Sequence, residues 1–216
     1  MHIHNFAASN SVLKKYIAEL RAVSIQKDAW RFRHNIERIG AILGYELSKS
    51  LSYYEDAIQT PYGVKNMSLP DEQLVVCAIL RAGLPLHSGV LSCFDNAENG
   101  FISAYRKRQE DGAITTITEY LATPDLNGKT LILCDPMIAT GSTLQTVYDV
   151  ITQSGTPKAI HIVAVIGSKE GIDSITKCFP EKTHLWITAI DEELSAKKYI
   201  IPGLGDAGDL SFGVKQ

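Results

Sequence analysis

Helical periodicity dominates the first third of the chain, and short apolar runs separated by polar loops dominate the rest. From Ser11, which suits an N-cap, the apolar residues Val12, Leu13, Tyr16, Ile17 and Leu20 recur at helical spacing. A second such stripe follows in Ile36, Ile39, Leu43 and Leu47. Residues 1–60 are therefore expected to form a helical arm. After Pro61 and Pro70 the texture changes to brief Val-, Ile- and Leu-rich runs at residues 74–80 (LVVCAIL), 129–134 (KTLILC), 159–166 (AIHIVAVI) and 185–190 (LWITAI). Runs without alternation suit strands covered on both faces, as in a parallel sheet. Between two of them Leu144, Val147, Val150 and Ile151 lie at helical spacing, with Gly155 and Pro157 as stop signals. Strand, turn, helix and returning strand make a right-handed crossover, so the expected class is α/β. No linker divides residues 1–216, which are read as one domain with a core from residue 70 onward.

Composition narrows the function classes. A 216-residue chain with 45% hydrophobic, 8% aromatic and 21% charged residues is expected to pack as one soluble globule. The 21 basic and 24 acidic side chains give a net charge of −3, with no long run of one sign. That balance argues against a broad grip on nucleic acid or anionic lipid, while leaving room for a local basic pocket. Cys77, Cys93, Cys134 and Cys178 lack metal-ligand or disulfide-framework spacing, and no secretory leader pattern opens the chain. Reduced, buried thiols in a cytoplasmic protein are expected. No apolar run approaches the roughly 18 residues of a membrane span. His2, His4 and His34 read as surface or capping residues, since nothing nearby supplies converging metal donors.

In an open parallel sheet, ligands bind beyond the carboxyl ends of the strands. Four loops there carry candidate chemistry. In residues 131–143 (LILCDPMIATGST) a strand ends at Asp135 and small and hydroxyl residues lead into a helix, an arrangement that presents unpaired N–H groups to a phosphate. The same residues also suit an ordinary capped helix. A Walker A loop is excluded, because no Lys follows the glycine in the required pattern. Arg81 and Gly83 follow the 74–80 run, where a guanidinium fork can meet a diphosphate or simply face solvent. Arg106, Lys107 and Arg108 precede a turn at residues 109–112 (QEDG), reading as a charged hairpin that can serve as a lid. Near the C-terminus, Gly203, Gly205 and Gly208 match a dinucleotide fingerprint, but too few residues remain for its helix and returning strand. A rigid turn offering backbone donors and acceptors to a flat polar ligand is the better reading.

These segments together resemble a known family. DPMIATGST is similar to the diphosphoribosyl-binding signature of the type I phosphoribosyltransferases, in the form found in uracil phosphoribosyltransferases. ILRAGL resembles the diphosphate loop of those enzymes and PGLGDAGD their uracil-binding segment, in the same order along most of the chain. The resemblance implies a parallel-sheet core with a helical N-terminal arm and a small C-terminal base-binding hood. It implies transfer of phosphoribosyl from 5-phosphoribosyl 1-diphosphate (PRPP) to uracil with Mg²⁺ on the donor, giving UMP and diphosphate. It further implies that Asp135, Pro136, Met137, Ile138, Ala139, Thr140, Gly141, Ser142 and Thr143 hold the ribose and 5′-phosphate, and that Arg81 and Arg106 neutralise the diphosphate. Ile200, Gly205, Asp206 and Ala207 would hold uracil, with Asp206 also near the donor, so Asp135, Asp206 and Arg106 form the expected catalytic set. No metal ligand from the protein is expected. A homodimer or higher homo-oligomer is implied, with the N-terminal helices as the candidate surface.

Two departures stand out. Ser142 occupies a position where the family commonly has a second glycine, and Pro85 stands where many relatives have glycine. The first raises the question of backbone strain and the second removes an N–H donor. A rival reading is a regulator on the same fold that senses a uracil nucleotide and binds RNA, against which the mild net acidity weighs. Purine and orotate phosphoribosyltransferases generally show adjacent acidic residues where this chain has Cys134, Asp135 and Pro136.

Overall fold

The computed structural model describes residues 1–108 and 114–215. The side chains of residues 104–119 lie outside that description, and with them the side chains of Arg106, Lys107 and Arg108 and the expected 109–112 turn. In chain order the elements are β1 (His2–Asn5), α1 (Val12–Arg21), α2 (Ala29–Ser48), β2 (Tyr53–Thr60), β3 (Gly63–Pro70), β4 (Leu74–Leu80) and α3 (Gly83–Leu91). There follow β5 (Glu98–Arg108), β6 (Ile114–Ala122), β7 (Thr130–Cys134), β8 (Met137–Ile138), α4 (Ser142–Ile151) and β9 (Ala159–Ser168). The chain closes with α5 (Lys169–Cys178), β10 (His184–Asp191), β11 (Glu193–Leu194), β12 (Ile200–Ile201) and α6 (Ala207–Phe212).

The central sheet runs β1-β10-β9-β7-β4-β5-β6, with β8 also paired to β9. Every pairing in it is parallel except β5 with β6, an antiparallel hairpin at one edge. All four apolar runs are strands, and the class is α/β with a mostly parallel sheet. Every residue of β7 is buried, as are all but the last of β4, because helices cover both faces. Two apolar layers result. One joins Phe32, Ile36, Ile39, Leu43 and Leu47 of α2 to Val76 and Val163; the other joins Leu144, Val147 and Ile151 of α4 to Val75 and Leu131.

The helical reading of the first third needs correction at both ends. Ser11 does cap α1, its hydroxyl accepting from Leu13 N at 3.3 Å. Before it, however, β1 joins the sheet edge in parallel register with β10, pairing His2 with His184 and Asn5 with Ile187. His2 and His4 thus sit on a strand: the His4 ring stacks on Trp186 with centroids 3.8 Å apart, and its Nε2 lies 3.0 Å from His184 Nδ1. After α2, the chain forms the β2–β3 hairpin around Pro61 and Tyr62, a separate two-stranded sheet. Its residues are almost all exposed, so the sequence carries no in-and-out alternation to announce it. The cysteines also divide: Cys77 and Cys134 are buried, whereas Cys93 and Cys178 are exposed.

Candidate active site

A cleft of about 1010 Å³ opens at the carboxyl ends of β4 and β7. Three segments wall it: residues 79–82 after β4, residues 135–143 after β7, and residues 197–209 from the C-terminal region. Strand direction explains the convergence, because parallel β4 and β7 release their loops on the same edge.

On the β7 side, Asp135 accepts from Met137 N at 3.3 Å, and its own N–H donates to Val163 O at 3.1 Å. The loop is strapped to the sheet. Pro136 O accepts from Val165 N (3.1 Å) and Ile166 N (3.0 Å), and Met137 and Ile138 pair with Ile166 and Gly167. Ile138 points into the core, 1% exposed, while Asp135, Pro136, Met137, Ala139 and Thr143 line the cleft. Gly141 stands at the N-cap of α4 with φ +79° and no capping side chain, a left-handed backbone that a residue with a Cβ enters only with strain. Apart from Ser142 N, which donates to Thr140 Oγ1 at 3.4 Å, the first turn of α4 therefore keeps its orphan N–H groups for an anion. Ser142 follows as the first helical residue and is absent from the positive-φ positions, so the serine carries no such strain. Its hydroxyl lies 2.9 Å from Thr140 Oγ1.

On the β4 side, the Leu80–Arg81 peptide is cis and Gly83 starts α3. A Cβ on Gly83 would stand 2.4 Å from Cys134 O, so only glycine lets α3 approach the end of β7 this closely. Pro85 falls in the first turn of α3, where its missing N–H is one that the helix leaves unpaired anyway. The Arg81 Nη2 reaches Asp209 Oδ1 and Gly213 O, each at 3.3 Å, across the cleft mouth.

The third wall is a ribbon and a turn. β11 pairs with β12 in antiparallel register, enclosing a turn in which Ser195 N donates to Tyr199 O at 2.8 Å. This turn brings Lys197, Lys198 and Tyr199 to the cleft, and the two lysines carry no sequence signal that marks them. Lys198 also pairs with Glu170 at 3.0 Å. Ile200, Gly205, Asp206 and Ala207 line the cleft. Gly203 has φ +58°, and a Cβ there would come within 2.1 Å of Ile200 O. Asp206 caps α6, its Oδ1 accepting from Asp209 N at 3.0 Å. Ser103 of β5 lines the cleft too, while the Arg106 side chain lies outside the described residues; its backbone pairs opposite Thr116.

For a divalent cation, the described residues contain no group of three or more His, Cys, Asp or Glu able to hold an ion. Asp135 and Asp206 line one cleft, a donor set that suits a hydrated cation carried mainly by its substrate's oxygens rather than a protein cage.

Comparison with known proteins supplies the family. The uracil phosphoribosyltransferase family model matches residues 7–214. A uracil phosphoribosyltransferase of Porphyromonas gingivalis is 44% identical, covering 100% of both chains, and one of Methanococcus maripaludis is 39% identical, covering 93% of this chain and 86% of that one. A solved structure of a protein from Aquifex aeolicus superposes with a TM-score of 0.86 at 32% identity over 98% of each chain. A Staphylococcus aureus hypoxanthine phosphoribosyltransferase shares the fold at a TM-score of 0.50 and 16% identity, covering 90% of this chain and 92% of that one. The chain belongs to the uracil phosphoribosyltransferase family.

Proposed function

We propose that the chain transfers the 5-phosphoribosyl group of PRPP to uracil, giving UMP and diphosphate in pyrimidine salvage. The observation that carries this reading is the meeting, in one cleft, of an arginine loop, an open helix N-terminus behind Asp135 and a glycine-rich polar turn. The 5′-phosphate lies at the N-terminus of α4, held by residues 139–143, and the ribose hydroxyls face Asp135. Arg81 takes the diphosphate. Its pair with Asp209 joins side chains 42% and 37% exposed, and such pairs contribute only about 0–1 kcal/mol. A multiply charged diphosphate displaces it readily.

In the reaction the bond from ribose C1 to the diphosphate oxygen breaks with its electron pair leaving on diphosphate, while uracil N1 bonds to C1 and releases its proton to solvent. The transition state resembles an oxocarbenium ion, so positioning and charge stabilisation suffice and no protein nucleophile is needed. Asp135 and Asp206 would hold the waters of a Mg²⁺ bound with PRPP, which would supply positive charge to the leaving diphosphate. The Gly205–Asp206–Ala207 backbone and Ile200 receive the base. Uracil presents acceptor, donor and acceptor along one edge, and a fixed backbone matched to that order leaves buried groups unpaired against cytosine, a mismatch that can discriminate by roughly 10⁴. Arg106, whose side chain lies outside the described residues, is assigned with Arg81 to the diphosphate.

The whole chain works as one domain, in the cytoplasm, as a homodimer or larger homo-oligomer. No helix among the described residues is long and apolar enough to cross a membrane, and the cysteines are unpaired. The β2–β3 hairpin is the better candidate for assembly than the N-terminal helices, since α2 spends its apolar stripe inside the core. The hairpin leaves Tyr53, Tyr54, Tyr62, Val64 and Met67 exposed, and a lone two-stranded sheet is marginal in water. The test is direct: the full chain with PRPP, Mg²⁺ and uracil should yield UMP and diphosphate in equal amounts, with no product from orotate, hypoxanthine or cytosine. Absence of turnover with uracil overturns the reading.

A further inference from the structure

The C-terminal turn is held from the opposite end of the chain. Arg21, the last residue of α1, makes a two-point contact with Asp191 at the end of β10, Nη1 to Oδ2 and Nη2 to Oδ1, both at 2.8 Å. The same Nη1 donates to Gly203 O at 2.9 Å, and Gly203 N donates to Asp191 Oδ2 at 3.1 Å. Donor and acceptor of residue 203 are thus both captured by one ion pair. Beyond α1, Gln26 Nε2 donates to Leu204 O at 3.1 Å and to Leu20 O at 2.9 Å, fastening the next peptide to the end of the helix. The Arg21 and Asp191 side chains are only 22% and 10% exposed, so solvent screens the pair weakly. A guanidinium fork on a carboxylate fixes direction as well as distance. None of the three residues lines the cleft, yet Gly205, which does, lies two peptides from Gly203.

We propose that Arg21, Asp191 and Gln26 are positioning residues that fix the 203–205 turn and so set the affinity and selectivity for uracil without touching it. The proposal rests on assigning residues 200–207 to the base. The phosphate loops owe nothing to these bonds: one is strapped to β9 through Pro136 O, and the other continues from buried β4. Loss of the clamp should therefore act chiefly on uracil, Asp206 being the one residue of this segment also assigned to the donor. Misplacing a binding group by 1 Å can cost about 10²-fold, so a loosened turn is felt strongly.

The experiment measures kcat and both KM values on the full chain for Arg21→Gln, Arg21→Lys, Gln26→Met and Gly205→Ala, with melting curves alongside. Arg21→Gln should raise KM for uracil by about tenfold or more and lower the uracil-over-cytosine ratio, leaving KM for PRPP within about twofold. Arg21→Lys keeps the charge but loses the fork, so it should recover part of the effect. Gln26→Met removes a single bond to the turn, carries the test if the Arg21 variants do not fold, and should show the same split at smaller size. If Gly205→Ala raises KM for uracil while the Arg21 and Gln26 variants change both KM values equally or only lower the melting temperature, the positioning proposal is overturned and the base assignment stands. If Gly205→Ala leaves KM for uracil unchanged, the base assignment itself falls.

Discussion

The two halves of the cleft are built by different means. The anion half stands on β4 and β7, strands so enclosed by α2, α3 and α4 that their loops inherit a position fixed by the core. The base half consists of a two-residue ribbon, a glycine turn and the six-residue α6, which enter the core only through Ile200, Leu204 and Ala207, with Leu194 and Leu210 packed beside them. Beyond these few apolar anchors, its orientation is set by side chains donating to backbone carbonyls: Arg21 to Gly203, Gln26 to Leu204 and Arg33 to Ser211 at 2.6 Å. Charge recognition tolerates a rigid platform because a diphosphate is large and its field long-ranged. Base discrimination depends on hydrogen-bond directions, and directional polar contacts are the means used to set them.

That contrast can be broken most forcefully at Arg81. Arg81→Ala should lower kcat/KM for PRPP by about 2–4 kcal/mol, roughly 30- to 1000-fold, as expected for a charge-assisted contact in a closed site. An unchanged value in steady-state kinetics returns the side chain to solvent.

Acid should act on the sheet that both halves share. His161 lies buried between β10 and β7, its Nδ1 accepting from Trp186 Nε1 at 3.1 Å, and burial, with lesser contributions from His184 and His4, pushes its pKa down to about 4. Burial also lowers His4 and His184. The unfolded chain takes up these protons near pH 6.5 while the folded chain resists them, so stability present above pH 6.5 is lost as the pH falls toward 4. For His161 the loss is on the order of 3 kcal/mol. Chemical denaturation across that window should show a steep decline that His161→Gln flattens; parallel slopes for the two proteins would remove the histidine from the account.

A third test targets the platform. Gly83→Ala puts a methyl against Cys134 O and should destabilise the fold by about 1–3 kcal/mol, seen as a lower urea midpoint. The smallest effect is expected at Ser142. Because the strained backbone angle belongs to Gly141, Ser142→Gly should change kcat/KM for PRPP by less than about threefold. A large gain would show that the serine impedes the phosphate after all.

The same division decides what could be read from sequence. Residues 74–80 form β4 with the bounds the apolar run marked, and Asp135, Thr143 and Gly205 reach the cleft because local strand, loop and glycine signals place them there. Arg21 and Asp191 were invisible. They are 170 positions apart, each is unremarkable in its own window, and only the completed fold brings their charges together. β1 escaped because four residues at a sheet edge, half of them histidine, carry no strand period, and the β2–β3 hairpin escaped because it faces solvent on both sides.

The separate construction of the two halves is tested most directly by paired substrate kinetics on Thr143→Val and Gly205→Ala. Both residues line the cleft, one on each half. Thr143→Val should raise KM for PRPP by about tenfold, the loss of a hydrogen bond to a charged group, with KM for uracil nearly constant. Gly205→Ala should do the reverse, since its φ of +89° admits a Cβ only by moving the turn. Equal shifts in both KM values in both proteins would contradict the account and show one jointly held site.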